Sequence, residues 1–353
     1  MRIAGIGIGQ AGDRVLDALA YHSKWSQFRG FMPCVLAINS AQADLRSLRT
    51  ISPKDQLLIG VTKARGHGVG LQREVGAELA EGSMSSIMRG VADTLLQFVD
   101  AFLIIIGLGG GTGSGAAPIV ARRLKHLYDQ PVFVLGILPT QQEGDLMTEN
   151  AKSCLKELHP IVDGIFIFDN DRWAEAEGSL ENSYALMNYE MVSPLPPLLC
   201  AGEASRDQVG IKVVDASDII ATCEDLVFWG YWALSTATLK ERRFWFKRSN
   251  VVEHLVPELI CPTVIKNAAA KLSGECDPGT VTRALMVVAG PPKYISMDGF
   301  SDAKGWLQQY TPHAEVRGGD FPLRNAKQVL GTVLLGGVRE IPRIGLKFEG
   351  EKR

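Results

Sequence analysis

The chain has 353 residues, 46% of them hydrophobic, which suits a globular protein of about two domains. Its 37 basic and 39 acidic residues give a net charge of −2, so no global basic field attracts nucleic acid, and we expect no nucleic-acid partner. The longest apolar run, Ala101–Leu108, is too short for a membrane span of about 20 residues, and no signal peptide is predicted, so we expect a cytoplasmic protein.

The cysteines and histidines predict neither a disulfide framework nor a metal site. The six cysteines are scattered without a Cys-x-x-Cys spacing, which favours reduced and buried thiols. The six histidines are equally isolated. We therefore predict no metal ion that is held by protein side chains alone.

The first half of the chain alternates strands with helices. Helices are predicted over Asp13–Trp25 and Ala116–Tyr128. The apolar runs that predict strands are Ile3–Ile8, Val35–Ile38, Leu57–Ile59, Phe102–Ile106, Val132–Leu138 and Ile165–Phe168. Short runs that are apolar on both faces are typical of central strands in a parallel sheet covered by helices. We predict an α/β fold with a doubly wound, mostly parallel sheet over residues 1–181, and a ligand at the carboxyl ends of its strands.

The pattern changes near residue 180. A central helix is predicted over residues 182–204, with a kink or break at the prolines of Ser193–Pro197. Residues 205–345 mix predicted helix and strand and favour a smaller α+β domain, followed by a short tail over 346–353. Its predicted elements are a helix at Ser217–Leu226 and strands at Ala284–Ala289, Ala314–Arg317 and Val329–Leu335.

A first glycine segment, Gly7–Gly12, follows the first predicted strand with G-x-G-x-x-G spacing. Residues without a Cβ let the backbone approach a phosphate, and a helix that starts near Asp13 would direct its N–H groups at the anion. A dinucleotide would also need an acid at the end of the second strand. That strand ends in Ile38-Asn39-Ser40, and the nearest acid is Asp44. An NAD-dependent oxidoreductase stays an alternative, although the acid that would bind the ribose is not at the expected position.

A second glycine segment, Gly107–Gly115, is more specific, with six glycines in nine residues between a buried strand and a helix. Such glycines can adopt positive φ angles and present successive N–H groups to a multiply charged anion, with Thr112 and Ser114 as hydroxyl donors. A flexible linker is the alternative, but linkers do not join a buried strand to a helix in this way. The P-loop lysine is absent, so the N–H groups, the helix terminus and a metal ion would balance the anion.

Four segments are similar, in order, to the nucleotide loops of the tubulin and FtsZ superfamily. They are Gly9–Gly12 (GQAG), Ala37–Ala43, Gly66–Gly70 (GHGVG) and Gly109–Gly115 (GGGTGSG). The similarity covers roughly residues 1–230 and extends more loosely to Pro342, and the length without a long tail favours the archaeal tubulin-like CetZ group. The resemblance implies a GTPase that binds GTP or GDP, with Mg²⁺ held through the phosphates. The binding residues that it implies here are Gly9, Gln10, Ala11, Asn39, Gly68, Gly109, Gly110, Gly111, Thr112 and Gly113.

Three further residues take their roles from the resemblance. Glu143 matches the acid that binds the ribose hydroxyls, although on its own it could be a solvated loop carboxylate. Asn170 matches the asparagine that reads guanine, with an Asx turn as the alternative, and Asn182 is a second candidate for the base. FtsZ has basic residues after this Glu-Gly pair, whereas this chain has Asp145-Leu146-Met147. A cation near the phosphates or the ribose is therefore missing or supplied by another residue.

Two acids, Asp215 and Asp218, resemble the catalytic loop of the superfamily. Their spacing at a helix start puts both carboxylates on one side. On the residues alone, Asp215 caps the helix and Asp218 lies in its first turn, and both roles can hold together. The family's loop enters the nucleotide site of the next subunit, which implies a head-to-tail homopolymer that hydrolyses GTP at the contact. Val213 stands where FtsZ has an asparagine, so one of the residues that would bind the attacking water in FtsZ is not present here.

One basic and aromatic stretch, Lys240–Arg248, has several interpretations. A covered subunit or domain interface is favoured over a membrane-proximal or accessory partner, given the near-neutral net charge. The sequence as a whole predicts a cytoskeletal GTPase that controls cell shape or division. A nucleotide-binding structural protein without turnover and an NAD-dependent oxidoreductase are the alternatives.

Overall fold

The computed structural model describes residues 1–25, 28–95, 98–173, 188, 191–201, 212–237 and 257–349. Its strands are β1 (Ile3–Ile8), β2 (Cys34–Asn39), β3 (Gln56–Leu58), β4 (Ala101–Gly107), β5 (Val132–Leu138), β6 (Gly164–Asp169), β7 (Asp225–Ser235), β8 (Arg283–Gly290), β9 (Glu315–Pro322), β10 (Gln328–Val338), β11 (Glu340–Ile341) and β12 (Leu346–Lys347). Its helices are α1 (Gly9–Trp25), α2 (Gln42–Arg46), α3 (Val61–Ala64), α4 (Arg73–Gly82), α5 (Met84–Thr94), α6 (Gly111–Leu127), α7 (Asp145–Leu158), α8 (Leu195–Cys200), α9 (Ala216–Thr222), α10 (Pro257–Ala270) and α11 (Met297–Tyr310). The predicted base residue Asn182 and the stretch Lys240–Arg248 lie outside the described residues.

Ten of the strands form one sheet in the order β3-β2-β1-β4-β5-β6-β7-β10-β8-β9. Neighbours from β3 to β7 pair in parallel, whereas β10 runs antiparallel to both β7 and β8. All six residues of β1 and all seven of β5 are buried, as expected for central strands with helices on both faces. The predicted doubly wound, mostly parallel α/β fold is confirmed.

Helices cover the sheet on both sides because alternate residues of each strand enter different cores. Ile104 and Ile106 of β4 share one buried cluster with Val120 of α6. Leu103 and Ile105 of the same strand share the other with Leu16 of α1. Because β1, β2, β4, β5 and β6 all run in parallel, their carboxyl ends lie along one edge of the sheet.

The second half of the chain extends this sheet. β7 pairs in parallel with β6 over three registered positions, Gly164 with Asp225, Ile165 with Leu226 and Phe166 with Val227. The predicted helix Ser217–Leu226 was too long at its end, since the helix stops at Thr222 and Leu226 is already in β7. The reason is local, because the C-cap Cys223, with a φ of −85° and a ψ of 36°, already leaves the helical region, and Asp225 then has a left-handed φ of 53°.

The predicted central helix over 182–204 is described only at residue 188 and over residues 191–201. In that part Leu195–Cys200 is helical, and Pro194 is its N-cap with further prolines in its first turn, where a missing N–H costs nothing. No described helix is long and apolar enough to cross a membrane. All six cysteines are free thiols, and five of them are buried, as predicted.

Candidate functional site

A cleft of about 530 Å³ lies at the carboxyl ends of the first-half strands. Eleven of the sequence-predicted binding residues are in its lining. They are Gly9, Gln10, Ala11, Asn39, Gly68, Gly110, Gly111, Thr112, Gly113, Glu143 and Asn170. Residues from six separated segments of the chain therefore meet at one place, as the topology of such sheets requires.

Gly109 and the two acids are not in this lining. Gly109 packs beneath the cleft, because a Cβ on it would lie 2.9 Å from the Cβ of Met147 and its carbonyl accepts a hydrogen bond from Asn150 Nδ2 at 3.0 Å. Asp215 and Asp218 lie at the start of α9, in the second half of the chain. The structure thus brings together the predicted binding set but leaves the predicted catalytic pair outside it.

Two helices begin at the cleft. α1 starts at Gly9, directly after β1, and α6 starts at Gly111, four residues after β4 ends. Neither helix has an acidic side chain in its first turn. The free N–H groups and the positive ends of two helix dipoles therefore point to one cavity, an arrangement that attracts an anion.

The glycines of the second segment serve close packing. None of the six has a positive φ, contrary to the predicted nest, because Gly111–Gly115 already belong to α6. A Cβ on Gly115 would lie 2.0 Å from the carbonyl oxygen of Arg73, and a Cβ on Gly76 would lie 2.3 Å from that of Gly111. The backbones of α4 and α6 are in contact, and this contact requires glycine.

Ser114 has a different role from the one predicted. Its side chain is buried, and its hydroxyl donates to the carbonyl of Gly110 inside the helix start. Thr112 stays at the cleft, where its hydroxyl lies 2.8 Å from that of Ser40. Only Thr112 of the two predicted hydroxyls is thus in the lining.

The third predicted segment, Gly66–Gly70, does need left-handed backbone. Gly66, Gly68 and Gly70 have φ angles of 78°, 83° and 60°. This conformation lets the Gly70 carbonyl accept from Gly111 N at 3.1 Å, and lets Gly68 N donate to the Ser40 carbonyl at 3.2 Å. The segment therefore joins the end of β2 to the start of α6 across the mouth of the cleft.

A buried polar cluster supports the floor of the cleft. Asn39 donates from Nδ2 to Asp13 Oδ2 at 2.8 Å and accepts from Ala41 N at 2.9 Å. Gln10 donates to Asp44 Oδ1 at 2.9 Å. Asp13 is 0% exposed, its Oδ1 has no hydrogen-bond partner, and burial raises the pKa of its carboxyl well above the usual value.

Replacing Asp13 by asparagine is expected to stabilise the unliganded protein more as the pH rises from about 4 to about 7. A carboxyl with a raised folded-state pKa contributes stability below its unfolded pKa and loses it as the pH rises through the folded value. Asparagine keeps the bond to Asn39 without this ionisation, and the gain near neutral pH is about 1–3 kcal/mol, the order of one unpartnered buried polar atom. Thermal unfolding at a series of pH values measures it.

The matched control is Asp93→Asn, at an exposed position of α5. Its effect on stability should stay small at every pH in this range. A difference between wild type and Asp13→Asn that does not change with pH would contradict the assignment.

Glu143 and Asn170 lie in short 3-10 turns after β5 and β6. The Glu143 carboxylate accepts from the backbone N of Thr140 at 2.7 Å, which closes a capping box. Asn170 is preceded by Asp169, whose side chain accepts from Asp171 N at 3.1 Å, so the Asx turn is made by Asp169. Asn170 therefore keeps its own amide for the cleft that it lines.

Four polar residues of the lining were not predicted as ligand-binding residues from the sequence, namely Arg14, Asp44, His67 and Asn188. Arg14 is exposed in the second turn of α1 and places a positive charge in the lining, whereas Asp145–Met147 carry none. Its position directly after the first glycine segment was the available signal. Asn188 had none, because its place in the cleft depends on how the chain returns after β6.

Asp215 and Asp218 form a capping box at the start of α9. Asp215 Oδ1 accepts from Asp218 N at 3.0 Å, and Asp218 Oδ2 accepts from Asp215 N at 3.2 Å. Arg317 Nη1 lies 2.8 Å from Asp218 Oδ1. The Ser217 hydroxyl and the Asp218 N–H lower the pKa of Asp215, so this carboxyl is ionised at neutral pH. The capping interpretation is confirmed, and both carboxylates keep exposed surface.

Two family models divide the chain between them. Residues 2–177 match the Tubulin/FtsZ family GTPase domain. Residues 177–349 match the C-terminal domain of tubulin-like CetZ. The chain belongs to the Tubulin/FtsZ family, in its tubulin-like CetZ branch. The four ordered segments predicted the superfamily, and the length without a long tail predicted the CetZ group.

Proteins similar to this chain include several CetZ proteins, among them two with solved structures. Tubulin-like protein CetZ3 of Haloferax volcanii is 39% identical over 357 residues, which cover 98% of this chain and 90% of the relative. CetZ1 of the same organism, solved as a GDP-bound monomer, superposes with a TM-score of 0.84 at 35% identity over 98% of this chain and 96% of that one. CetZ2, solved as a GTPγS-bound protofilament, gives 0.83 at 32% identity over 98% and 95%.

Proposed function

We propose that this chain binds a guanine nucleotide in the cleft and hydrolyses GTP after head-to-tail assembly has brought Asp215 and Asp218 of the next subunit to it. The observation that carries the proposal is the convergence of two acid-free helix starts, α1 and α6, on one cavity. Such a site favours a ligand with several negative charges. The relatives support a guanine nucleotide, since CetZ1 was solved with GDP and CetZ2 with GTPγS.

The lining offers a place for each part of a nucleotide. Phosphates would lie against the first turns of the two helices, with Arg14 as the nearby cation. Glu143 is the acid for the ribose hydroxyls. Asn170 and Asn188 provide amides that both donate and accept, which suits the hydrogen-bonding edge of guanine.

The donor set fits Mg²⁺ held through phosphates. Among the described residues no three acidic, histidine or cysteine side chains lie together as a metal site. Mg²⁺ usually keeps several waters and takes only one or two protein carboxylates beside phosphate oxygens. Asp44 is the cleft carboxylate placed to serve in this way, and the bound ion would offset the charge of the phosphates.

Turnover requires groups that the cleft itself does not present. Water that attacks a γ-phosphate is usually oriented by a carboxylate or an amide. Asp215 is exposed at the N-cap of α9, and Asp218 in its first turn is partly exposed, so we assign both carboxylates to this task across a subunit contact. A contact between unlike faces of identical subunits does not close and produces a filament. A cytoplasmic cytoskeletal role in cell shape or division would follow.

The decisive experiment measures phosphate release per subunit as the protein concentration increases. A site completed by a neighbour gives activity that rises faster than linearly, with a threshold at the onset of assembly seen by light scattering. Constant activity per subunit would contradict the shared site, and filaments without phosphate release would support the structural alternative. Titration with NADH tests the oxidoreductase alternative, and we expect no saturable binding.

A further inference from the structure

The turns that carry Glu143 and Asn170 are tied to each other. The backbone N–H of Gln141, in the Glu143 turn, donates to both carboxylate oxygens of Asp171 at 3.1 Å. Asp171 is the residue after Asn170. The positions of the proposed ribose acid and the proposed base amide are therefore linked through one carboxylate.

A single guanidinium from the far end of the chain holds both turns. Arg343 Nε lies 2.8 Å from Asp169 Oδ2, and its Nη1 lies 2.9 Å from Asp171 Oδ2. Its Nη2 donates to the carbonyl of Pro139 at 2.7 Å, just before the Glu143 turn. Arg343 lies in the part matched by the CetZ C-terminal model, whereas its three partners lie in the GTPase part.

Burial makes this contact strong and sensitive to substitution. The Arg343 side chain is 10% exposed and that of Asp169 is 3% exposed. Burial raises the pKa of Asp169, and the positive charge of Arg343 acts in the opposite direction. Without the guanidinium, two neighbouring carboxylates would repel each other where water cannot solvate them well.

Two other residues of the second half contact the ends of the Asn170 turn. The Ser273 carbonyl accepts from Asp169 N at 2.8 Å. The Lys271 ammonium lies 4.5 Å from the ring centre of Trp173, which follows the Asn170 turn. The Asn170 turn is thus fixed to the second half, and Arg343 is the contact that carries this fixation to the Glu143 turn.

We propose that Arg343 is a positioning residue of the cleft, which sets the spacing between Glu143 and Asn170 and so sets how strongly the cleft selects a guanine ribonucleotide. This role rests on the proposed function, because it assigns the ribose to Glu143 and the base to Asn170. A rigid spacing lets one ligand satisfy both residues at once. If the two turns can separate, a ligand contacts Glu143 only at the expense of its contact with Asn170, or the reverse. Ligands that lack the ribose hydroxyls or the base's exocyclic amine then lose less affinity relative to GDP.

The test compares three ligands in Arg343→Met, Arg343→Lys and wild-type protein. GDP is compared with IDP, which lacks the exocyclic amine of guanine, and with 2′,3′-dideoxy-GDP, which lacks the ribose hydroxyls. Titration calorimetry gives the Kd of each. In Arg343→Met we expect the preference for GDP over both analogues to fall by about tenfold, the loss of one well-placed hydrogen bond. Arg343→Lys keeps the positive charge but not the planar, bidentate geometry of the guanidinium, and should restore part of the preference for GDP.

Arg339→Met is the matched control. Arg339 Nε lies 3.3 Å from Asp225 Oδ2, an ion pair in the same C-terminal region that contacts neither turn. This variant is expected to lose some stability but to keep the wild-type preference for GDP over both analogues, measured at a temperature where all the proteins are folded. Equal weakening of all three ligands in Arg343→Met, or an unchanged preference, would overturn the positioning role. Failure of the wild type to bind GDP would instead contradict the proposed function.

Discussion

Replacing Asp218 by asparagine is expected to lower assembly-dependent GTP hydrolysis by about 10²–10⁴-fold, the usual contribution of a general acid–base group. The cleft does not include Asp218, so GDP affinity of the monomer should change by less than about twofold. The variant should still assemble, and its filaments should retain GTP and persist longer. Phosphate release and sedimentation, measured on one sample, check both halves of this expectation.

The control for this variant is Glu315→Gln. Glu315 and Asp218 are both partners of Arg317, at 3.0 Å and 2.8 Å, so either substitution removes one charge beside the same guanidinium. Only the loss of Asp218 should stop turnover. Because Asp218 also closes the capping box of α9, the thermal stability of both variants is measured in parallel. Phosphate release at the wild-type rate from Asp218→Asn filaments would remove Asp218 from the mechanism.

Replacing Gly110 by alanine is expected to weaken GDP binding by about 10–100-fold without unfolding the protein. Gly110 lines the cleft at the N-cap of α6, and its φ of −75° and ψ of 164° are accessible to alanine. A Cβ there would meet no protein atom within 4 Å, so the fold has room for it. A phosphate held against the backbone at this helix start has no such room. Titration calorimetry with GDP measures the loss.

Two other glycines separate loss of binding from loss of fold. Gly305→Ala, in α11, also places its Cβ more than 4 Å from any atom, so it should leave GDP affinity unchanged and slightly stabilise the helix. Gly111→Ala puts its Cβ 2.4 Å from the Gly70 carbonyl and should lower the unfolding temperature. Wild-type affinity in Gly110→Ala would show that the phosphates lie elsewhere.

Much of the sheet could be predicted because its strands are short, apolar and separated by glycine. Ile3–Ile8 and Val132–Leu138 were predicted to the residue. The starts of α1 and α6 were placed four or five residues late, since glycine is a poor helix former and a run of it predicts a loop. Close contact with the α4 backbone overrides that propensity in α6, and close contact of Gly12 with the Ile105 carbonyl does so in α1. No local sequence pattern indicates either contact.

The cleft was predictable only in part for a similar reason. Segments such as Gly66–Gly70 carry their own conformational requirement, so their sequence identifies them. Arg343 meets Asp171 across 172 positions of the chain, and an isolated arginine near a chain end gives no sign of such a partner. Contacts of this kind are fixed by topology, which the residues around them do not encode.

The pairing of β6 with β7 has a consequence for biosynthesis. Until Asp225 and the residues after it leave the ribosome, β6 has one bare edge, with unpaired N–H and C=O groups along Gly164, Ile165 and Phe166. An open apolar edge is a template for pairing with other nascent chains. A polypeptide truncated after Asp169 would keep this edge permanently and should aggregate, so the GTPase part depends on the rest of the chain to stay dispersed from the moment it is made.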